Sequence, residues 1–164
     1  MENPYQTPES NLVDEKPAEF TLAGRGSRLA AAIIDGIIGL VFAIPVIMSL
    51  GIWDMAKAGQ QPPFSLTLLS AIIGFAAFAL VHGYFLNSNG QTIGKKLLGI
   101  RIAKLDHAVP PLTTTLGKRY LPITLASLVP MVGQILTIVD ILFIFRGDRR
   151  CVHDHIAGTQ VIKA

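Results

Sequence analysis

Two carboxylates stand inside long apolar runs of this sequence: Asp35 between Leu29 and Leu50, and Asp140 between Tyr120 and Phe145. An acid at the centre of a membrane helix costs about 2.5–3.5 kcal/mol to insert, while each Leu or Ile returns only about 0.3–0.6 kcal/mol. Such a residue marks either a proton or cation site or a device that holds helices together. Arg28 lies seven residues before Asp35. Seven steps of about 100° return to within about 20° of the same face, roughly 10 Å further along the helix. Arg28 is thus placed to bias Asp35 towards its charged form, and the two are read as an ion or proton site with Asp140 as the matching acid. If the third apolar block folds back, Asp140 approaches Arg119, and an Asp35–Asp140 pair sharing a proton is a further arrangement.

The remaining reactive residues carry less. His82, near the end of a second apolar run, reads as an interfacial hydrogen-bonding residue rather than a proton relay. Cys151-Val152-His153-Asp154-His155 offers three soft or borderline ligands, but no second Cys/His pair occurs elsewhere, so no metal is assigned. The chain has no nucleophile motif, Walker loop or HExxH segment. It is read as a non-enzyme that needs no cofactor. Ala32-xxx-Gly36 and Ala79-xxx-Gly83 permit close helix packing within or between protomers. Lys95 and Lys96 are placed to touch anionic lipid, at about 1 kcal/mol each.

The elements that must position these residues are membrane elements. Of 164 residues, 51% are hydrophobic and 15% charged, and the mean hydropathy is +0.50. Ordinary soluble domains carry about 25% charged residues. This composition excludes a soluble enzyme and a disordered chain, and the single cysteine excludes a disulfide scaffold. The net charge of +3 and pI of about 9.2 fit cytoplasmic loops of a membrane protein better than a nucleic-acid partner. Residues 1–21 are polar, rich in acids and Pro, and read as a mobile tail without signal-peptide features. The membrane domain is placed at 22–164, with spans at about 29–50, 64–86 and 120–145. The first covers roughly 33 Å, enough for a bilayer core. A polar loop is expected over 51–63. Gly99–Leu105 alternates as a strand does, and 158–163 offers a second.

The third block is broken by Pro122, Pro130 and Gly133, and reads as either one kinked span or a hairpin turning at 129–133. Three simple crossings put nine Lys/Arg inside and five outside, whereas a hairpin puts thirteen inside and one outside. The positive-inside bias favours the hairpin, with both termini cytoplasmic.

Three segments together resemble the RDD family of small bacterial membrane proteins. They are Arg28 with Asp35 in the first span; Gly90-Gln91-Thr92-Ile93-Gly94-Lys95-Lys96; and His153-Asp154-His155-Ile156-Ala157-Gly158-Thr159. In the family pattern an Arg opens the first helix, an Asp lies within it, and another Asp lies towards the C-terminus. That last acid matches best at Asp154, with Asp140 also available. The resemblance spans roughly residues 22–162. It implies either transport, including cation/proton exchange, or an accessory role in a membrane complex.

The sequence therefore points to an all-α protein of the bacterial inner membrane, with two clear transmembrane helices, a broken or hairpin third block, and a small β element at the cytoplasmic surface. Its partners are the lipid bilayer and either further copies of itself or another membrane protein. The favoured role is transport-related, with Asp35 as the proton or cation site. The alternative is a scaffold or accessory subunit in which Asp35 and Arg28 are packing devices.

Overall fold

The computed structural model describes residues 20–164. Two long apolar helices dominate it, α1 (Arg25–Ser49) and α3 (Phe64–Asn89), and both are long and apolar enough to cross a membrane. They pack on each other along one side. Their other faces are open: Val41 is 66% and Leu80 85% exposed, surface that lipid or another membrane protein must cover. Pro45 lies inside α1, which continues through it. The expected loop after α1 is partly helical, since Gly51 turns through φ 68° into α2 (Ile52–Lys57). Asp54 in the first turn and Lys57 in the last suit that helix's dipole.

The third block folds back on itself. A helix that opens at Leu112 has π geometry over Thr114–Tyr120 and continues as α5 (Leu121–Ser127). The chain turns at Leu128–Met131 and returns as α6 (Val132–Leu142), closed by a 3₁₀ turn at Phe143–Phe145. The arms pack against each other, and Gly133 allows it: a Cβ there would meet the Ser127 backbone at 2.8 Å. This is the hairpin that the charge count favoured.

The polar end joins the two ends of the domain. Strand β1 (Ile100–Lys104) pairs antiparallel with β2 (Thr159–Lys163), with Ile102 opposite Val161. Ile100, Ile102, Val161 and Ile162 are buried, and Ile100 and Val161 pack with Ala23 and Ala31 at the start of α1. The Ala23 N–H donates to Val161 O (2.9 Å) and the Lys163 N–H to Thr21 O (3.0 Å). Of the tail read over 1–21, residues 1–19 lie outside the described residues, and the last two belong to the fold. The Phe20 ring stacks on His107 at 4.2 Å.

Two short helices complete this end, α4 (Ile93–Leu97) and α7 (Val152–Ala157). Gly90 ends α3 at φ 66°, so the chain reverses sharply, and the Ile102 N–H donates to its carbonyl at 2.7 Å. Gln91 Nε2 donates to Ile100 O (3.0 Å), fixing the turn against β1. The reversal lays α4 along the first third of α1.

Candidate functional site

Asp154 is the centre of the charged residues. It is the third residue of α7, and its carboxylate turns back to accept from the Cys151 N–H at 3.0 Å, an acidic cap that suits a helix start. The side chain is fully buried. It also accepts from Arg28 Nη2 (2.6 Å), from Arg119 Nη1, and from Thr159 Oγ1 (3.2 Å). Arg119 Nη1 donates to Thr159 Oγ1 as well (2.7 Å). Burial alone would raise the Asp154 carboxyl, but the charges of Arg119, His153 and Arg28 outweigh it and hold the group well below the usual range.

Arg28 and Arg119 are themselves 7% and 2% exposed, so one carboxylate serves two buried guanidiniums. Arg28 reaches Arg149 O and Cys151 Sγ (3.4 Å) besides. Three residues earlier, Arg25 donates to Ile144 O (3.2 Å) and Phe145 O (3.3 Å) at the end of the hairpin, where helix carbonyls lack partners. Arg150 holds the far end of α7 through Asp154 O and Thr159 O. Together these side chains latch the start of α1 to the last third of the chain.

Asp35 has other partners. It accepts from Thr92 Oγ1 (2.5 Å) and from the Gly94 N–H (2.8 Å), with Lys95 Nζ at 3.8 Å. Asp35 therefore seats the first turn of α4. Gly94 is required for this approach, because a Cβ there would lie 2.9 Å from Asp35 Oδ1 and would also strike Ala31 O. His82, 2% exposed, accepts the neighbouring Ile93 N–H at Nδ1 (3.2 Å), the hydrogen-bonding role read from its position.

Asp140 meets His153 in two bonds, from the His153 N–H (2.9 Å) and from ring Nδ1 (2.7 Å). Burial lowers the His153 pKa first, with the Arg119 charge acting the same way and Asp140 restoring part of it. Burial pushes the Cys151 thiol up to about 11. Ligand atoms of Asp140, Cys151 and His153 lie within 4.8 Å of one another, but the set fits a metal poorly. Arg28 stands at the sulfur, both Asp140 oxygens are committed to His153, and the ligand form of cysteine is the thiolate. His155 turns away to Asp148 at 3.2 Å.

Three pairings expected from the sequence are thus replaced. Arg28 does not tune Asp35, because tertiary packing brings Asp154 to it first. Arg119 pairs with Asp154 rather than Asp140. Asp35 and Asp140 each have their own donors and form no shared-proton pair. Within the chain, Gly36 and Gly83 of the Ala32-xxx-Gly36 and Ala79-xxx-Gly83 steps are not points of close approach, since a Cβ at either would meet nothing within 4 Å.

The RDD family model matches residues 22–158. The chain belongs to the RDD family. The chain is similar to a protein of Haemophilus influenzae, 29% identical over 150 residues, covering 90% of this chain and 82% of that protein. The YckC protein of Bacillus subtilis is 32% identical over 151 residues, covering 91% and 86%. No solved structure matches the chain significantly. In this RDD chain the motif residues fall into two structural groups. Arg28, Asp154 and Thr159 form the buried cluster, with Ala157 buried on the same helix and Gly158 closing it at φ 63°. Asp35, Thr92, Gly94 and Lys95 form the α4 seat, with Gly90 and Gln91 making the turn into it.

Arg119 and His153 are the residues that sequence reasoning undervalued. Arg119 was paired with the wrong acid, and His153 was dismissed with the metal run. An acid three residues after Cys151 was a legible cap signal for α7, as Thr92 was for α4, where its hydroxyl accepts from the Lys95 N–H (3.3 Å).

Proposed function

We propose that this RDD-family protein is a non-catalytic accessory or scaffold subunit of the bacterial inner membrane. Both termini lie in the cytoplasm and the partner is another membrane protein. One observation carries the reading. Asp35, Asp140 and Asp154 are each engaged by donors of the same chain, and those bonds hold α4, α7 and the hairpin onto the base of α1. The acids thus serve as fastenings that build a rigid basic platform on two helices with open apolar faces. Orientation follows from charge: the first strand and its flanks (Lys95, Lys96, Arg101, Lys104) and the tail (Arg146, Arg149, Arg150, Lys163) share the platform end, against Lys57 beyond α1.

Photo-crosslinking in native membranes from Ile37 and Leu80, both on open faces, tests this directly. Adducts with a distinct membrane protein are expected. Adducts with lipid and with the chain itself alone contradict it.

A second reading, proton-coupled movement of a cation or small solute by an oligomer, draws support from a different feature. The Asp140–His153 pair borders a cavity between α1 and α6. In that reading Asp35 is required for exchange rather than for assembly.

A further inference from the structure

Gln134, the third residue of α6, is exposed, and its amide makes no hydrogen bond among the described residues. Its depth makes this unusual. The Tyr120 ring packs on Phe78 at 4.6 Å, and from there α5 follows a cleft lined by Leu68, Ala71 and Phe75 as far as Leu128. Eight residues at about 1.5 Å each carry the chain roughly 12 Å along α3, so the turn of the hairpin still lies within the span that opens at Phe64. Gln134 follows directly on that turn and therefore faces hydrocarbon, which offers an amide no partner. Another protein must supply one.

The face around Gln134 is shaped for a helix. Gln134, Ile138, Ile141 and Phe145 follow one another at spacings of four, three and four residues, and all are exposed. That is the seam of two helices packed side by side, and a single polar residue in such a seam fixes register and partner number. Beside it lies an open notch of about 390 Å³ lined by Ser127, Gly133, Gln134, Thr137 and Ile138. Ser127 Oγ donates to Thr124 O (2.7 Å) and Thr137 Oγ1 to Gly133 O (2.9 Å). Both hydroxyls thus keep lone pairs free to accept.

Three features make a second copy the occupant. The seam carries no charge, so nothing in it repels its own image. A carboxamide is its own complement, with a carbonyl that accepts and an NH₂ that donates twice. Copies inserted in the same orientation, related by a two-fold axis normal to the membrane, bring Gln134 to Gln134 at equal depth. A different protein would need a polar group at that same level. Each amide then donates one hydrogen to the opposite carbonyl and keeps the other for a hydroxyl of the notch.

We propose that two copies of this chain pair along α6, with the Gln134 amides exchanging hydrogen bonds across the two-fold axis. The pairing does not rest on the scaffold reading, and it uses a helix that carries neither Ile37 nor Leu80.

Disulfide crosslinking of the full-length protein in native membranes tests the face, and single-molecule photobleaching in liposomes at graded dilution counts the dimers. Ile138→Cys is expected to crosslink to its own copy. Leu136→Cys, exposed on the opposite side of α6, is not. The parent chain with its buried Cys151 sets the background. Gln134→Leu leaves the seam apolar and is expected to raise the dimer dissociation constant at least about fivefold, the size of two amide bonds between membrane helices. Gln60→Leu, in the exposed loop after α2, is expected to stay within about twofold. Equal crosslinking from Ile138 and Leu136, a monomer at every dilution, or a dimer unchanged by Gln134→Leu overturns the proposal. Photo-crosslinks from Ile138 that reach only a different membrane protein assign the face to that protein and overturn the second copy.

Discussion

Replacing Asp154 by Asn removes the one charge that two buried guanidiniums share. The amide is nearly isosteric, so the perturbation is electrostatic rather than a cavity. Its Oδ1 can still accept a bond, but its NH₂ group is turned towards Arg28 or Arg119, both of which only donate. Breaking a buried ion pair by removing one partner costs about 3–5 kcal/mol, a large part of a typical total of about 5–15 kcal/mol. For a chain of this length each kcal/mol moves Tm by about 2–4 °C, so the expected fall is roughly 6–20 °C. Thermal unfolding of the detergent-solubilised protein at neutral pH reads it. Lys57→Gln breaks an exposed pair, Asp54–Lys57 with side chains 75% and 60% exposed, and should move Tm by about 1–2 °C at most. A folded Asp154→Asn protein that melts within about 2 °C of wild type would refute the cluster as the fastening of the fold.

Other perturbations follow from the same contacts. Thr92→Ala removes both the α4 cap and an Asp35 bond and should cost about 0.5–2 kcal/mol, a smaller fall in Tm than Asp154→Asn. Gly94→Ala drives a methyl group against Asp35 and the α1 backbone and should destabilise clearly, while Gly36→Ala meets nothing within 4 Å and should be neutral or mildly stabilising. Equal Tm values for the two alanine variants would contradict the close approach of α4. Acid should destabilise in two stages. The unfolded chain takes up a proton at His153 near 6.5 while the folded chain resists it, so this contribution is complete above 6.5 and is lost as pH falls towards the lowered folded value. Asp154 adds a second loss below its ordinary value of 3.8. A melting profile flat from pH 7.5 to 5.5, or rising towards acid, contradicts this assignment.

How much of this was readable from the sequence depends on the range of each interaction. The spans were legible because apolar run length is a local quantity, and the strands because Gly99–Leu105 alternates in place. The hairpin was legible from charge, since only folding back puts thirteen basic residues on one side. Pairings were not. A helical projection sees only neighbours on its own helix and therefore offered Asp35 to Arg28, whereas the real partner stands 126 residues away. The donors to Asp35 were missed for the same reason. Counting along α1 puts it among apolar residues, but Gly94 lets α4 descend over it and supply donors, which no property of α1 encodes. Helix α2 was missed because its six residues lie between Gly51 and Pro62, where breaker residues mask a short helix.

The central claim is that the three acids fasten the fold and carry no transported proton. Proton-coupled cation flux in proteoliposomes measures this most directly, comparing wild type with Asp35→Asn at matched reconstitution across several monovalent cations. The account predicts no exchange above empty vesicles from either protein, with Asp35→Asn differing only in a lowered Tm. Robust exchange by wild type that disappears with the Asp35 carboxylate, in a variant that remains folded and inserted, would contradict it.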